Sequence, residues 1–431
     1  MKKNLFFKSA LILLIGSIFT KVLGFIIKIV FTRVIGTDGI NLYSLVMPTY
    51  SLVIALTQLG LPVAVSTVVA RGTKRGKKVV LSIMPIILFL NLLMMITLVF
   101  SAKFIAVTLL DNKDATFPIM SMALILPFIS ISSILRGYFF GRQKMMPHTV
   151  SNIIEQLARL LIIALFLPKL VSYGPIYGVC GFILLSIISE FISIIIFLIF
   201  LPKGFTISKS ELKPDLKTTK EVMDLCIPTV SGRIIGNIAY FFEPIILTYV
   251  LKLVGYSNKF ILDEYGIYNA YVIPLLIIPS FIVQAISTAL IPEVSASYER
   301  NDKKNIKKRL KQSLLISLIL GLITNTFVFL YPEHLLKLIY NTTSPSGSTY
   351  IKILAFFFIL FNLEGPLSST LQALGKTKEA FRATTVGVLI KTISIALFSL
   401  LHIGLYGLII GEILDILVIV FMNYKTLNKV L

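Results

Sequence analysis

A chain of 431 residues that is 56% hydrophobic and only 14% charged excludes an ordinary soluble fold, in which about a quarter of the residues carry charge. The net charge of +21 would suit a nucleic-acid-binding protein, but the Lys and Arg residues fall in short loops between apolar runs, a pattern that sets topology in a membrane protein. Two cysteines without a CxxC spacing and three scattered histidines, His148, His334 and His402, exclude a Cys/His zinc site and a disulfide framework.

The opening MKKNLFFKSALILLIGSIFT resembles a secretory leader. No A-x-A-like site follows it, and the apolar run continues past Lys21 and Lys28 to about Val30, so a retained first transmembrane helix is expected. A hydrocarbon core of about 30 Å takes about 20 apolar residues as helix. On that measure twelve spans are predicted, roughly 9–31, 43–69, 79–101, 119–140, 148–167, 174–200, 224–250, 266–292, 312–331, 349–372, 381–401 and 404–423. The expected fold class is all-α integral membrane, with about twelve transmembrane helices. Gly and Pro inside several long spans predict tilts or kinks.

Four spans carry a polar stripe with a cation. Span 1 has Ser17, Lys21, Gly24, Lys28 and Thr32; span 5 has Asn152, Glu155 and Arg159; span 7 has Arg233, Asn237 and Tyr240; span 11 has Thr384, Gly387, Lys391 and Ser394. Steps of three and four residues put each set on one helical face. A charge at the bilayer centre costs about 2.5–3.5 kcal/mol even on the mildest scale, so these faces should meet a wet cavity or a partner. The predicted cavity residues are Lys21, Lys28, Glu155, Arg159, Arg233, Asn237 and Lys391. Other readings stand beside this one. Lys28 and Arg33, near a helix end, can snorkel to the headgroups. Glu155 and Arg159, at i,i+4, can form a structural ion pair, which does not exclude ligand contact. Arg136 and Lys352 read as interfacial. The acids Glu190, Glu243, Glu364, Glu412 and Asp415 lie in or near spans, where they can pair with these cations or bind a coupling cation. Several cations around one cavity suit an anionic, phosphate-bearing substrate.

With twelve spans both termini lie on one side. The loops of that side, including 71–78, 202–222 and 297–311, hold roughly four times as many basic residues as the opposite loops, which predicts cytoplasmic termini in a multi-pass protein of the cell membrane. The basic loop near 201–222 divides the chain into halves of six spans, 1–215 and 216–431. Leu61-Pro62 with Ser66 and Ile291-Pro292 with Ser295 repeat at an interval of about 230 residues, as do Gly141-Arg-Gln-Lys144 and Gly375-Lys-Thr-Lys378. Repeats of six spans share one orientation, so an axis along the membrane normal is expected to relate them.

The stretch LILLIGSIFTKVLGFIIKIVFTRVIGTDGINLYSLVMPTYSLVIALTQLGLPVAVSTVVA closely resembles the stage V sporulation protein B group of the multidrug/oligosaccharidyl-lipid/polysaccharide (MOP) flippase superfamily. RGYFFGRQKMMPHTVSNIIEQLARL, ISTALIPEVSASYER and LQALGKTKEAFRATTVGVLIK resemble segments of the same group. The resemblance implies two six-helix lobes in a V-shaped, MATE-like arrangement, alternating access, and export of a lipid-linked oligosaccharide. The implied substrate is the undecaprenyl-pyrophosphate-linked peptidoglycan precursor, lipid II, for cell-wall or spore-cortex synthesis. Lys21 stands at a basic position of the lipid II flippases, whereas Ile27-Lys28 replaces their Arg-Asp pair. Span 11 lacks the acid of a sodium site. The expected partners are therefore a lipid-linked anionic oligosaccharide and membrane lipids, with no nucleic acid, and the coupling source stays open among H+, Na+ and the membrane potential. Neither a cofactor nor a metal is expected. A cation-coupled drug exporter would use Glu155 or Glu243. A membrane-embedded cell-wall enzyme would need positioned acids in its external loops, where only isolated ones stand, and a scaffold has no need of cations in four spans.

Overall fold

The computed structural model describes the backbone of residues 2–72, 76–202, 205 and 215–431, and the side chains within those ranges except at 2–14 and 227–233. The described chain is helical almost throughout. It forms two compact units, Met1–Asn237 and Ile238–Leu431.

Unit 1 opens with α1, Lys2–Gln58, which is broken at Gly36 (φ 74°, ψ 171°). That backbone conformation is open almost only to glycine. A second break at Leu59 and Gly60, both with positive φ, separates α1 from α2, Leu61–Ala70. Then come α3, Gly76–Lys103, α4, Thr116–Met122, α5, Leu126–Gly141, α6, Met146–Val171, and α7, Pro175–Ile199. Most of α8, Leu216–Leu253, also belongs to this unit. Its core gathers Val65, Val68, Ile83, Leu135, Tyr138, Phe139, Phe197 and Cys226. On α1 the buried residues Leu23, Ile27, Phe31 and Ile35 recur every four positions. They define the packed face, and Phe31 rests on Phe182 of α7 with ring centroids 4.2 Å apart.

Unit 2 takes the end of α8 and then α9, Asn258–Ile267, α10, Ile273–Leu276, and α11, Ser280–Glu299. The run Asn258–Leu276 meets α11 at 55°, across a turn ending in Pro279, whose missing N–H interrupts the helical ladder. There follow α12, Lys303–Leu330, the short α13, Pro332–Tyr340, α14, Pro345–Ala373, α15, Thr377–Ser399, and α16, Tyr406–Val430. Leu290, Val294, Ile306, Leu367, Leu371 and Leu427 form a core where α11, α12, α14 and α16 meet.

Among the described residues, 10 helices are long and apolar enough to cross a membrane, or 11 if the bent pair counts as one span. The first of them, Ile15–Ala70, has 56 residues, roughly 84 Å of helix at 1.5 Å per residue. That is more than twice the hydrocarbon thickness, and Gly36 breaks it into two crossings. Counted so, the described residues hold twelve candidate crossings, the number that the hydropathy predicts.

Candidate functional site

Each unit holds a part-buried cation between two carboxylates. In unit 1 the register of the antiparallel pair α6/α7 is fixed by Ser151, whose hydroxyl lies 2.7 Å from that of Ser193 and bonds to its carbonyl at 3.0 Å. Two turns along, the same register sets Arg159 against Ser189 and Glu190. Arg159 Nε donates to Ser189 Oγ at 3.0 Å. Its Nη2 reaches Glu155 Oε1, one turn back on α6, at 3.1 Å, and Glu190 Oε1 at 3.8 Å. Ser132 of α5 donates to the other oxygen of Glu190 at 3.1 Å. The predicted Glu155–Arg159 pair therefore forms, and Glu190 closes it into a triad with Glu155 itself buried.

In unit 2 the pair α15/α16 does the equivalent. The helices approach closely: a Cβ on Gly411 would lie 3.0 Å from Lys391 O, so any side chain there presses on the α15 backbone. Lys391 Nζ lies 2.7 Å from Glu412 Oε2 of α16 and 2.8 Å from Glu243 Oε2 of α8. Tyr265 OH donates to Glu243 and Tyr268 OH to Glu412, each at 3.1 Å. Asp415 and Glu364 lie within electrostatic reach of this group. Gly387 faces Asp415, so the stripe read from α15 packs against α16.

The two clusters share a plan. A cation in the fifth span of each half, Arg159 or Lys391, meets a glutamate from the sixth, Glu190 or Glu412. The two cations stand about 230 residues apart, the interval of the sequence repeats. Each cluster sets two carboxyl groups against one cation, and among the described residues no group of His, Cys, Asp and Glu forms a metal-binding set.

The other predicted residues divide. Lys21 and Lys28, partly exposed, come from α1, off its packed face. The Thr32 hydroxyl bonds back to Lys28 O at 2.9 Å. Asn237 is half-buried on α8. The side chain of Arg233 lies outside the described residues. Glu190, Glu243 and Glu412 were visible in the sequence as intramembrane acids, but without their partners.

The chain resembles known proteins along its whole length. The polysaccharide biosynthesis protein family profile matches residues 6–298, and the MatE profile matches residues 233–397. Stage V sporulation protein B of Bacillus subtilis is 32% identical, over 100% of this chain and 85% of its own length. Among solved structures, an inward-facing multidrug resistance MATE family transporter of the MOP superfamily superposes with a TM-score of 0.74 at 15% identity, over 95% of this chain and 93% of its own. The lipid II flippase MurJ in an inward closed conformation gives 0.72 at 17% identity, over 96% and 87%. The chain belongs to the polysaccharide biosynthesis protein family.

Proposed function

We propose that the protein is a flippase that exports a lipid-linked oligosaccharide across the cytoplasmic membrane by alternating access, with both termini in the cytoplasm. The substrate that fits best is an undecaprenyl-pyrophosphate-linked peptidoglycan precursor of the lipid II type, used in cell-wall or spore-cortex synthesis. The observation that carries this reading is the full-length match to Stage V sporulation protein B. In this reading Lys21, Lys28, Arg159, Arg233 and Lys391 line the path of the pyrophosphate, and Asn237 hydrogen-bonds to the head group. Phosphate oxygens take strong charge-assisted bonds from such groups. Glu155 holds Arg159 until a pyrophosphate, with more charge to offer, displaces it. The isoprenoid tail stays in the bilayer while the head crosses. Glu243, Glu364, Glu412 and Asp415 are the groups available to a coupling H+ or Na+.

The test is binding by the purified protein of a polyprenyl-pyrophosphate sugar. Arg233→Ala should weaken it at least tenfold and Arg233→Lys less, because Lys keeps the charge but loses the planar fork. Equal binding by all three proteins would remove Arg233 from the site. A second reading, export of cationic drugs, is favoured by the surplus of carboxylates in both clusters. Tighter binding of a cationic dye than of the pyrophosphate lipid would select it.

A further inference from the structure

The start of α12 is densely basic: Lys303, Lys304, Lys307, Lys308, Arg309 and Lys311 fall in its first three turns. Cations are disfavoured there by the partial positive charge of a helix N-terminus, and the end is already capped by Asp302, which accepts from Asn305 N at 2.9 Å. Local helix chemistry does not account for them. Some have protein partners. Arg309 pairs with Glu293 at 2.9 Å, and Lys303 Nζ donates to Val430 O at 3.2 Å. Lys307 and Lys311, both exposed, instead line a groove of about 420 Å³ together with Leu314 and Leu318 of α12, Leu363 of α14 and Leu427 of α16.

The spacing orders this groove from charged to apolar. Residues 307, 311, 314 and 318 follow at steps of four, three and four, so they share one face. Along α12, two ammonium groups stand at one end and leucines follow, with Tyr424 and Asn428 of α16 completing the wall beside Leu427. From 307 to 318 the helix rises roughly 16 Å, close to the half-thickness of about 15 Å of a hydrocarbon core. We propose that this groove binds an anionic phospholipid, its phosphate between Lys307 and Lys311 and one acyl chain along the leucines. Two lysines select against a zwitterionic headgroup, whose own ammonium they repel. Each is worth about fivefold in affinity for an anionic lipid, hence roughly 25-fold together, compressed by salt. The site is distinct from both ion clusters and does not depend on the transported substrate.

The protein contains no tryptophan, which allows a direct test. Leu315 lines the same groove and is exposed, so Leu315→Trp adds a single fluorophore there. The full chain is placed in phosphatidylcholine nanodiscs containing increasing fractions of dibrominated phosphatidylglycerol or dibrominated phosphatidylcholine. Quenching by the anionic lipid should reach half-maximum at a mole fraction roughly 25-fold lower. Adding Lys307→Gln and Lys311→Gln should bring the two lipids within about twofold of each other. Lys425→Gln with Lys429→Gln, at the end of α16 and outside the groove, should leave the preference intact. Equal quenching by both lipids overturns the proposal. So does loss of preference in the Lys425/Lys429 variant, which would mark a diffuse basic field. Displacement by a polyprenyl phosphate at lower fractions than by unbrominated phosphatidylglycerol would assign the groove to that carrier and overturn it too.

Discussion

Replacing Arg159 by Met strands Glu155 and Glu190 inside unit 1, where neutral donors such as Ser132 and the Gln156 amide remain. Removing one partner of a buried ion pair costs about 3–5 kcal/mol. The Arg159 side chain keeps 21% exposure, so the lower end applies, about 3 kcal/mol at pH 7. Arg159→Lys keeps the charge but offers one nitrogen where Nε and Nη2 serve Ser189 and Glu155 separately. It should cost about 1–2 kcal/mol. The triple change Arg159→Met, Glu155→Gln and Glu190→Gln removes every charge of the triad and should recover most of the stability. Thermal unfolding read with a thiol-reactive dye suits this unit, because Cys226 is buried in its core and Cys180 lies on α7. An unaltered melting temperature for Arg159→Met at pH 7, or a triple variant no more stable than the single one, would refute the triad as a structural element.

Three further outcomes follow from the same structure. Gly36→Ala forces a Cβ onto a backbone with φ 74° and ψ 171° and should lower stability by about 1–3 kcal/mol, read by the same thermal assay; a neutral change would mean that the break can relax. Gly411→Leu pushes α16 away from Lys391 O and should cost at least about 1–3 kcal/mol while weakening the Lys391–Glu412 contact, and a silent substitution contradicts the close approach. In a background lacking Cys180 and Cys226, Lys307→Cys should resist an impermeant thiol reagent added outside cells and Asp114→Cys should react; the reverse pattern overturns the orientation.

The sequence reveals the crossings because apolar length is a local property. Every predicted span has a helical counterpart, and Gly36 falls between the first two predicted spans. Local pattern fails where packing decides. The short helix α13, Pro332–Tyr340, is a nine-residue element, too brief for a spanning signal, and its amphipathic turn read as part of an external loop. The Leu-Pro and Ile-Pro repeats match in sequence but not in role, since Pro62 opens α2 while Pro292 lies within α11. At the site, the stripes on α6 and α15 were legible from steps of three and four. Which acid meets which cation was not. Glu190, Glu243 and Glu412 come from other helices, and the registers of α6 against α7 and of α15 against α16 depend on Ser151–Ser193 and on Gly411, long-range contacts that no periodicity encodes.

The most direct test of the proposed function is transbilayer movement of a defined lipid in vesicles that contain only the purified protein. A polyprenyl-pyrophosphate disaccharide-peptide with a fluorescent head group is loaded into both leaflets, and arrival at the outer face is followed by an impermeant quencher. The protein should accelerate movement of this lipid and not that of a neutral lipid-linked sugar, and a variant lacking the cations at 21, 28, 159, 233 and 391 should fall to the rate of protein-free vesicles. Movement of both lipids at equal rates, or full activity without those five cations, would contradict the account.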